Sequence, residues 1–158
     1  MANTQSMCTS FLGEVLTATH NFGTAPTRGT STADTFKAAL YLASATVNAS
    51  TTAYSSTGEV TGTNYTAGGV TVTNATAPLS SNTSTTAGTG YWTPSASLTY
   101  TNVTLSTAFD AVLIYNSTQS NKAVSVHTFG SQTVTAGTFT LTMPSNTTST
   151  ALLRLATT

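Results

Sequence analysis

The stretch DAVLIYNSTQSNKAVSVHTFG, residues 110–130, carries the strongest folding signal in this sequence. Two apolar runs, AVLIY and AVSV, stand on either side of the polar segment NSTQSNK. Two β-prone runs joined by a few residues that favour turns are typical of a β-hairpin. We therefore predict that this stretch forms two antiparallel strands.

Shorter alternating segments on both sides of the hairpin predict further strands. In TFKAALYLA, residues 35–43, one face carries Phe36, Ala38, Leu40 and Leu42, and we expect only this face to enter the core. The other predicted strands are VTVTNAT (70–76), SASLTYTNVTLST (95–107, with a bulge or turn near Asn102), TFTLTMP (138–144) and ALLRLA (151–156, with Arg154 facing outward).

One segment near the N-terminus, CTSFLGEVLTATHNFG (8–23), predicts a short helix. Thr9 or Ser10 can cap its start, and Gly23 follows its end. Its apolar stripe consists of Phe11, Leu12, Val15 and Leu16. Together these segments predict an all-β fold, an antiparallel β-sandwich or small barrel with a short N-terminal helix. We expect one domain over residues 1–158, with extended termini (1–8 and 151–158) and a long loop at 78–94.

The composition is poor in charged residues and rich in residues that carry hydroxyl groups. Charged residues make up only 5% of the chain, the formal net charge is zero, and roughly a quarter of the residues are Thr, which favours strands. No basic patch for nucleic acid and no run long enough to cross a membrane is visible. A chain with so little charge is poorly protected from self-association, which favours a protein that works in an assembly.

The glycine-rich stretch TGEVTGTNYTAGGVTVTNAT, residues 57–76, raises the question of a phosphate or cofactor site. A phosphate-binding P-loop needs a Lys after its last Gly, but Gly62 is followed by Thr63. A dinucleotide-binding loop needs a helix after it, whereas residues 70–76 favour a strand. We interpret the glycines as turn and bulge positions, so the sequence predicts no cofactor site.

The residues that could carry catalysis or bind a metal are few and scattered. His20 and His127 have no other ligand at metal-binding spacing, and the four acids Glu14, Asp34, Glu59 and Asp110 are dispersed. Cys8, the only cysteine, is expected to fill apolar space. We predict no catalytic residue, no metal and no cofactor, and hence no enzyme. Tyr91 and Trp92 are candidates for a partner contact, or for an aromatic lid over the core.

Four segments of the chain resemble a group of small virion proteins from tailed bacteriophages. They are DTFKAALY (34–41), TTAYSSTGEVTGTNYTAGG (51–69), LIYNSTQSNKAVSVHTFG (113–130) and VTAGTFTLTMP (134–144). The resemblance spans most of the chain, from about Cys8 to Leu155. Its motifs mark strands and turns and include no catalytic position, so it implies a lineage and no functional residue.

The resemblance implies a part of the virus particle, made in the host cytoplasm. We expect a capsid decoration (cement) protein that stabilises the head shell and contacts the major capsid protein or other virion proteins. Such proteins commonly form trimers, so a homo-oligomer is expected, with residues 1–7 and 151–158 or the loop at 80–92 reaching partners. The alternatives are a component of the neck or tail, and a glycan-binding adhesive module on a tail fibre, for which Tyr91 and Trp92 would form the stacking platform.

Overall fold

Two antiparallel β-sheets pack together around one core, and the fold is all-β. The computed structural model describes residues 2–16, 18–22, 33–73, 77–81 and 88–156. Several sequence predictions lie outside these ranges: Gly23 as the helix stop, the end of the strand at 70–76, the centre of the loop at 78–94 and the last two residues. The elements are β1 (Ser6–Met7), α1 (Thr9–Leu16), β2 (Phe36–Leu42), β3 (Val70–Thr71), β4 (Leu79–Ser80), β5 (Thr89–Trp92), β6 (Leu98–Asn116), β7 (Lys122–Leu141) and β8 (Leu153–Ala156).

The predicted hairpin is confirmed as the centre of the larger sheet, whose strand order is β1-β7-β6-β2-β3. Leu113 pairs with Val126, and the turn is made by residues 117–121. The hairpin is longer than predicted, since β6 has 19 residues and β7 has 20. The segments 95–107 and 138–144 are thus not separate strands. They continue β6 and β7, because shifts in register bend the paired strands without ending the pairing.

One of these shifts lies where the sequence predicts a bulge. The register of β6 against β7 changes between Tyr100 and Val103, and Asn102 has a positive φ of 52°. Asn tolerates this left-handed conformation better than most residues. The predicted irregularity at Asn102 is confirmed as a bulge in a continuous strand.

Strand β2 is buried on both faces, and the expectation of a single core face was wrong. Ala39 and Tyr41, which the alternation assigns to the outer face, are 0% and 1% exposed. The segment after β2 lies against this face, because Tyr41 Oη donates to Ser55 O and Gly58 lies beside the Tyr41 ring. At the edge of the strand, Val60 N–H donates to Leu40 O at 3.0 Å. Only Lys37 and Leu42 of β2 keep partial exposure.

The smaller sheet has the strand order β4-β5-β8 and corrects the prediction of a long loop at 78–94. Leu79 pairs with Tyr91, and Trp92 pairs with Leu153, so β5 lies between two neighbours. Aromatic residues favour strands, and pairing on both sides satisfies the backbone of β5. The predicted last strand is confirmed as β8, with Arg154 exposed.

Both termini lie extended against their own chain. In the N-terminal segment, Ser6 pairs with Val126, and Asn3 Nδ2 donates to Asp110 Oδ1 at 2.6 Å. The C-terminal residues up to Ala156 pair with β5. That these segments reach other subunits stays a prediction.

Helix α1 forms where the sequence predicts a helix, but the predicted cap is wrong for Ser10. This residue lies in the first turn, and its Oγ is buried with no hydrogen-bond partner in the described part of the chain. Of the predicted apolar stripe, Phe11 is buried, whereas Val15 is 37% exposed. The helix therefore covers the core with its first turn and presents Val15 at the surface.

Candidate functional site

The glycine-rich segment that raised the question of a cofactor is built for turns and close backbone contact. Gly58, Gly68 and Gly69 have φ values of 79°, 87° and 73°, which favour glycine. At Gly69 a Cβ atom would overlap the carbonyl oxygen of Ala38 on β2, and at Gly62 it would overlap that of Thr104 on β6. The interpretation of these glycines as turn positions is confirmed.

A buried carboxylate fixes this segment to the sheet. Glu59 is 6% exposed and accepts three hydrogen bonds: from Tyr54 Oη at 2.6 Å, from Tyr65 Oη at 2.8 Å and from Gly68 N–H at 2.7 Å. The hydroxyl of Tyr65 also accepts from the Leu40 N–H of β2 at 3.0 Å. Glu59 therefore connects the start of the segment, its end and the sheet beneath it.

Tyrosine hydroxyls complete this cluster. Tyr100 donates to Ala38 O at 2.8 Å, and Tyr115 donates to Gly68 O at 2.9 Å. Burial, followed by the nearby charge of Glu59, raises the pKa of Tyr115 to about 12, and the same two causes raise the pKa of Tyr100. For Tyr65, burial and the hydrogen bond to Glu59 raise the pKa. These phenols stay protonated as donors at neutral pH, which suits a structural role.

A second set of polar groups joins the helix to the hairpin turn, although its members are far apart in sequence. Lys122 Nζ donates to Glu14 Oε1 at 2.6 Å, and Glu14 Oε2 lies 2.7 Å from His20 Nε2. His20 Nδ1 lies 3.1 Å from Asn116 Nδ2, which also donates to Asp34 Oδ2 at 2.7 Å. The sequence analysis missed this chain of contacts, because Glu14 and Lys122 are separated by 108 positions and no local pattern connects them.

The pairing of an acid with an imidazole is also found in general base catalysis, so the exposure and the contacts of His20 decide whether it suits that role. The side chain of His20 is 0% exposed, and both of its ring nitrogens contact protein groups. A neutral ring satisfies both contacts by donating from Nε2 to Glu14 and accepting from Asn116 at Nδ1. Burial by itself raises the pKa of Glu14, but hydrogen bonds from Lys122 and His20 lower it overall. The geometry suits a cross-link between α1, β6 and β7.

The other histidine, His127, lies on β7 beside a hydroxyl. Ser125 Oγ is 2.9 Å from His127 Nε2, and Ser125 is 1% exposed. Burial lowers the pKa of His127 to about 4, so the ring is neutral near pH 7. Within the described residues no carboxylate is hydrogen-bonded to this pair, so it lacks the third group that orients a catalytic base.

The described residues form an apolar groove between α1 and the smaller sheet. Its volume is about 410 Å³. The described residues that line it are Phe11, Val15, His20, Asn21, Phe22, Ala77, Pro78, Leu79, Gly90, Tyr91, Trp92, Leu153 and Leu155. We call this surface the apolar groove. None of these residues is Lys, Arg, Asp or Glu.

The two aromatic residues predicted to contact a partner differ in their positions at this groove. Tyr91 is partly exposed, whereas Trp92 is 3% exposed, with its ring centroid 4.8 Å from that of Phe22 and 6.3 Å from that of Phe36. Trp92 thus forms the buried floor of the groove, in line with the alternative of an aromatic lid. A glycan-stacking platform would need an exposed ring, so only Tyr91 is placed for direct contact.

The described residues contain neither a cluster of metal ligands nor a helix that could span a membrane. In these ranges no group of three or more His, Cys, Asp or Glu side chains could hold a metal ion. No helix among them has the length and apolarity required to span a bilayer.

Cys8 is fully buried, and burial, followed by the charge of Glu14, raises its pKa to about 11. The thiol is therefore protonated and unreactive at neutral pH.

Comparisons with known proteins do not assign this chain to a family. No protein-family model matches the chain. No match is found among curated proteins or among solved structures either.

Proposed function

We propose that this protein is a structural subunit of a tailed-bacteriophage virion, and that it is a capsid decoration (cement) protein which stabilises the head shell. The observation that carries the proposal is the contrast between its polar and apolar groups. The buried Glu59 and His20 are fully engaged within the fold, while the described residues also form an apolar groove lined by no Lys, Arg, Asp or Glu. A protein that acts by binding its neighbours needs such a surface and no reactive group.

The resemblance in the sequence supplies the virion context. The segments that carry it are the same ones that build the sheet: β2, the glycine-rich segment held by Glu59, and the β6–β7 hairpin. In this proposal they form a rigid scaffold, and the chain binds the major capsid protein or other virion proteins as a homo-oligomer. No catalytic step is part of the proposal.

The scarcity of charge predicts how such binding responds to salt. Only eight of 158 residues are Lys, Arg, Asp or Glu, and the formal net charge is zero. Attachment to a shell would therefore depend on apolar burial and hydrogen bonds, which salt screens little. Binding to purified shells should change less than about threefold between 50 mM and 500 mM NaCl, because few exposed charges are present to be screened.

The decisive experiment is the copy number of the protein in purified particles, measured by quantitative mass spectrometry against the major capsid protein. Hundreds of copies are expected for a cement protein. Six or twelve copies would instead place it in the neck or tail. Particles that lack the protein should release DNA at a lower temperature than complete particles, and adding the purified protein back should restore the release temperature. Equal heat resistance with and without the protein would contradict the cement proposal.

A further inference from the structure

The last part of strand β7 is paired on one side only. Strand β1 pairs with β7 at Ser125 and Val126, and no other strand of the described residues lies on that side of β7. Residues 137–141 therefore pair with β6 alone. In an antiparallel pair every second residue turns its N–H and C=O away from the partner strand. Within the described ranges no further hydrogen bond reaches the backbone of residues 137–141. We call these residues the free edge.

The core-facing side chains of the free edge are incompletely covered. Leu98 of β6 is 2% exposed, whereas its partner Leu141 on β7 is only partly buried. Tyr100 of β6 is likewise 2% exposed, and its partner Phe139 is only partly buried. Directly opposite residues share one face of the sheet, so the two strands differ in what lies beyond them. A neighbour on the outer side of β7 would complete the burial of Phe139 and Leu141.

Nothing in this part of β7 prevents another strand from pairing with it. Proteins commonly protect an edge strand with Lys, Pro or an inward-pointing charge. The stretch TFGSQTVTAGTFTL, residues 128–141, contains no charged residue and no Pro. A shift in register and the positive φ of 46° at Ala136 limit the regular part of the edge to residues 137–141. This is about the length of an ordinary strand.

The parts of this chain outside the described residues do not suit the free edge. A strand that covers Phe139 and Leu141 needs large apolar side chains of its own. Residues 23–32, 74–76, 82–87 and 157–158 consist of Gly, Ala, Ser, Thr, Asn, Pro and one Arg. None of these segments adjoins β7 or the start of β6 in sequence. The missing strand must then come from another molecule.

We propose that a second copy of this chain supplies this strand. The free edges of the two copies pair antiparallel about a twofold axis and join the two β6–β7 hairpins into one continuous sheet. A twofold contact requires a surface that is complementary to itself, and the backbone of a strand edge is complementary to an antiparallel copy of the same edge.

The side chains of the free edge also suit a copy of themselves. Phe139 and Leu141 of each copy lie on the same face of the joined sheet and cover those of the other copy. No charged side chain of this stretch meets its like across the axis. The inference goes beyond the proposed function, because it concerns contact between two copies whatever particle they join.

Two exposed threonines of the free edge allow the contact to be disrupted without altering the core. Thr138 and Thr140 are exposed, so the double variant Thr138→Lys, Thr140→Lys places like charges close together across the axis. The matched control is Thr99→Lys, Thr101→Lys. These residues are also exposed, and Thr99 pairs with Thr140, so the control adds the same charge one strand away from the edge.

The test is sedimentation equilibrium of the full-length protein over a hundredfold range of concentration. The wild type and the β6 variant should sediment as dimers, whereas the β7 variant should raise the dissociation constant at least tenfold. If the β7 variant fails to fold, hydrogen exchange of the wild type decides the question. Amides of residues 137–141 should exchange at least tenfold more slowly in the dimer than in the dilute monomer, while amides of β2 should exchange equally in both.

A wild type that remains monomeric at the highest concentration would overturn the inference. So would a dimer that the β7 variant leaves intact, or protection of residues 137–141 that is the same at every concentration, which would assign the cover to the chain itself. None of these results touches the proposed function, which the copy number in particles tests separately. A trimer insensitive to the β7 variant, found at hundreds of copies per particle, would refute this contact and support the cement role.

Discussion

Removing the charge of Glu59 tests whether this buried carboxylate holds the glycine-rich segment to the sheet. In Glu59→Gln one oxygen remains, and it can still accept from Gly68 N–H and Tyr65 Oη, which share Oε1 in the wild type. Hydrogen bonds to a charged group contribute about 1.5–3 kcal/mol each, against about 0.5–1.5 kcal/mol for neutral ones. The neutral amide also costs less free energy to bury than the charged carboxylate, which offsets part of this loss. We therefore expect the free energy of unfolding to fall by about 1.5 kcal/mol.

Glu59→Ala should cost more, because it leaves donors without an acceptor. The buried Gly68 N–H and the Tyr65 hydroxyl lose their partner, whereas the partly exposed Tyr54 can turn to water. Each buried unsatisfied donor costs about 1–3 kcal/mol, so the expected loss is ~3 kcal/mol. For a domain of about 150 residues this corresponds to a fall in melting temperature of roughly 6–12 °C, about twice that of the Gln variant.

The assay is thermal unfolding followed by circular dichroism, combined with hydrogen exchange at the Gly68 amide. Both variants should speed exchange at this amide more than at Val126, which lies in the centre of the larger sheet. Tyr54→Phe is the control, because it removes only the partly exposed donor and should cost less than about 1 kcal/mol. A Glu59→Ala protein as stable as the wild type, with Gly68 still protected, would refute the assigned role of the carboxylate.

Two further predictions concern a glycine and a histidine. Gly69→Ala should lower the free energy of unfolding, measured in urea, by about 3 kcal/mol or more, because the added Cβ overlaps Ala38 O and the φ of 73° strains any other residue. The control Gly90→Ala should change this free energy by less than about 1 kcal/mol. His127 should make stability fall as the pH drops from about 6.5 to 4, because burial lowers its pKa to about 4 in the fold and the unfolded chain takes up the proton first. His127→Gln should flatten melting temperature against pH over this window. The same slope in the variant would assign the acid sensitivity to other groups.

The sequence predicted most where the pattern is local. The hairpin at 110–130 and the bulge at Asn102 follow from alternation and turn residues in adjacent positions. The burial of both faces of β2 does not, since the alternation marks Tyr41 as outward and only the folded chain places Ser55 and Gly58 beside it. Both ends of the loop predicted at 78–94 form strands, because β5 pairs with β4 on one side and with the distant β8 on the other.

The sequence predicted the features that bear on function less well than the fold, because these features depend on contacts between residues far apart in the chain. The cluster of Glu14, His20 and Lys122 and the apolar groove have no local signature, because their members are contributed by separate elements. Tyr91 and Trp92 are adjacent in β5, so their side chains lie on opposite faces of the smaller sheet, and only Trp92 is buried.

The sequence by itself determined the all-β character, the low charge content and the turn role of the glycines, since these follow from composition, side-chain shape and neighbouring residues. Only the tertiary structure decided which polar groups are engaged within the fold and where apolar side chains remain exposed. The physical reason is that burial and hydrogen-bond pairing depend on which elements meet, and the residues that meet here are up to about a hundred positions apart.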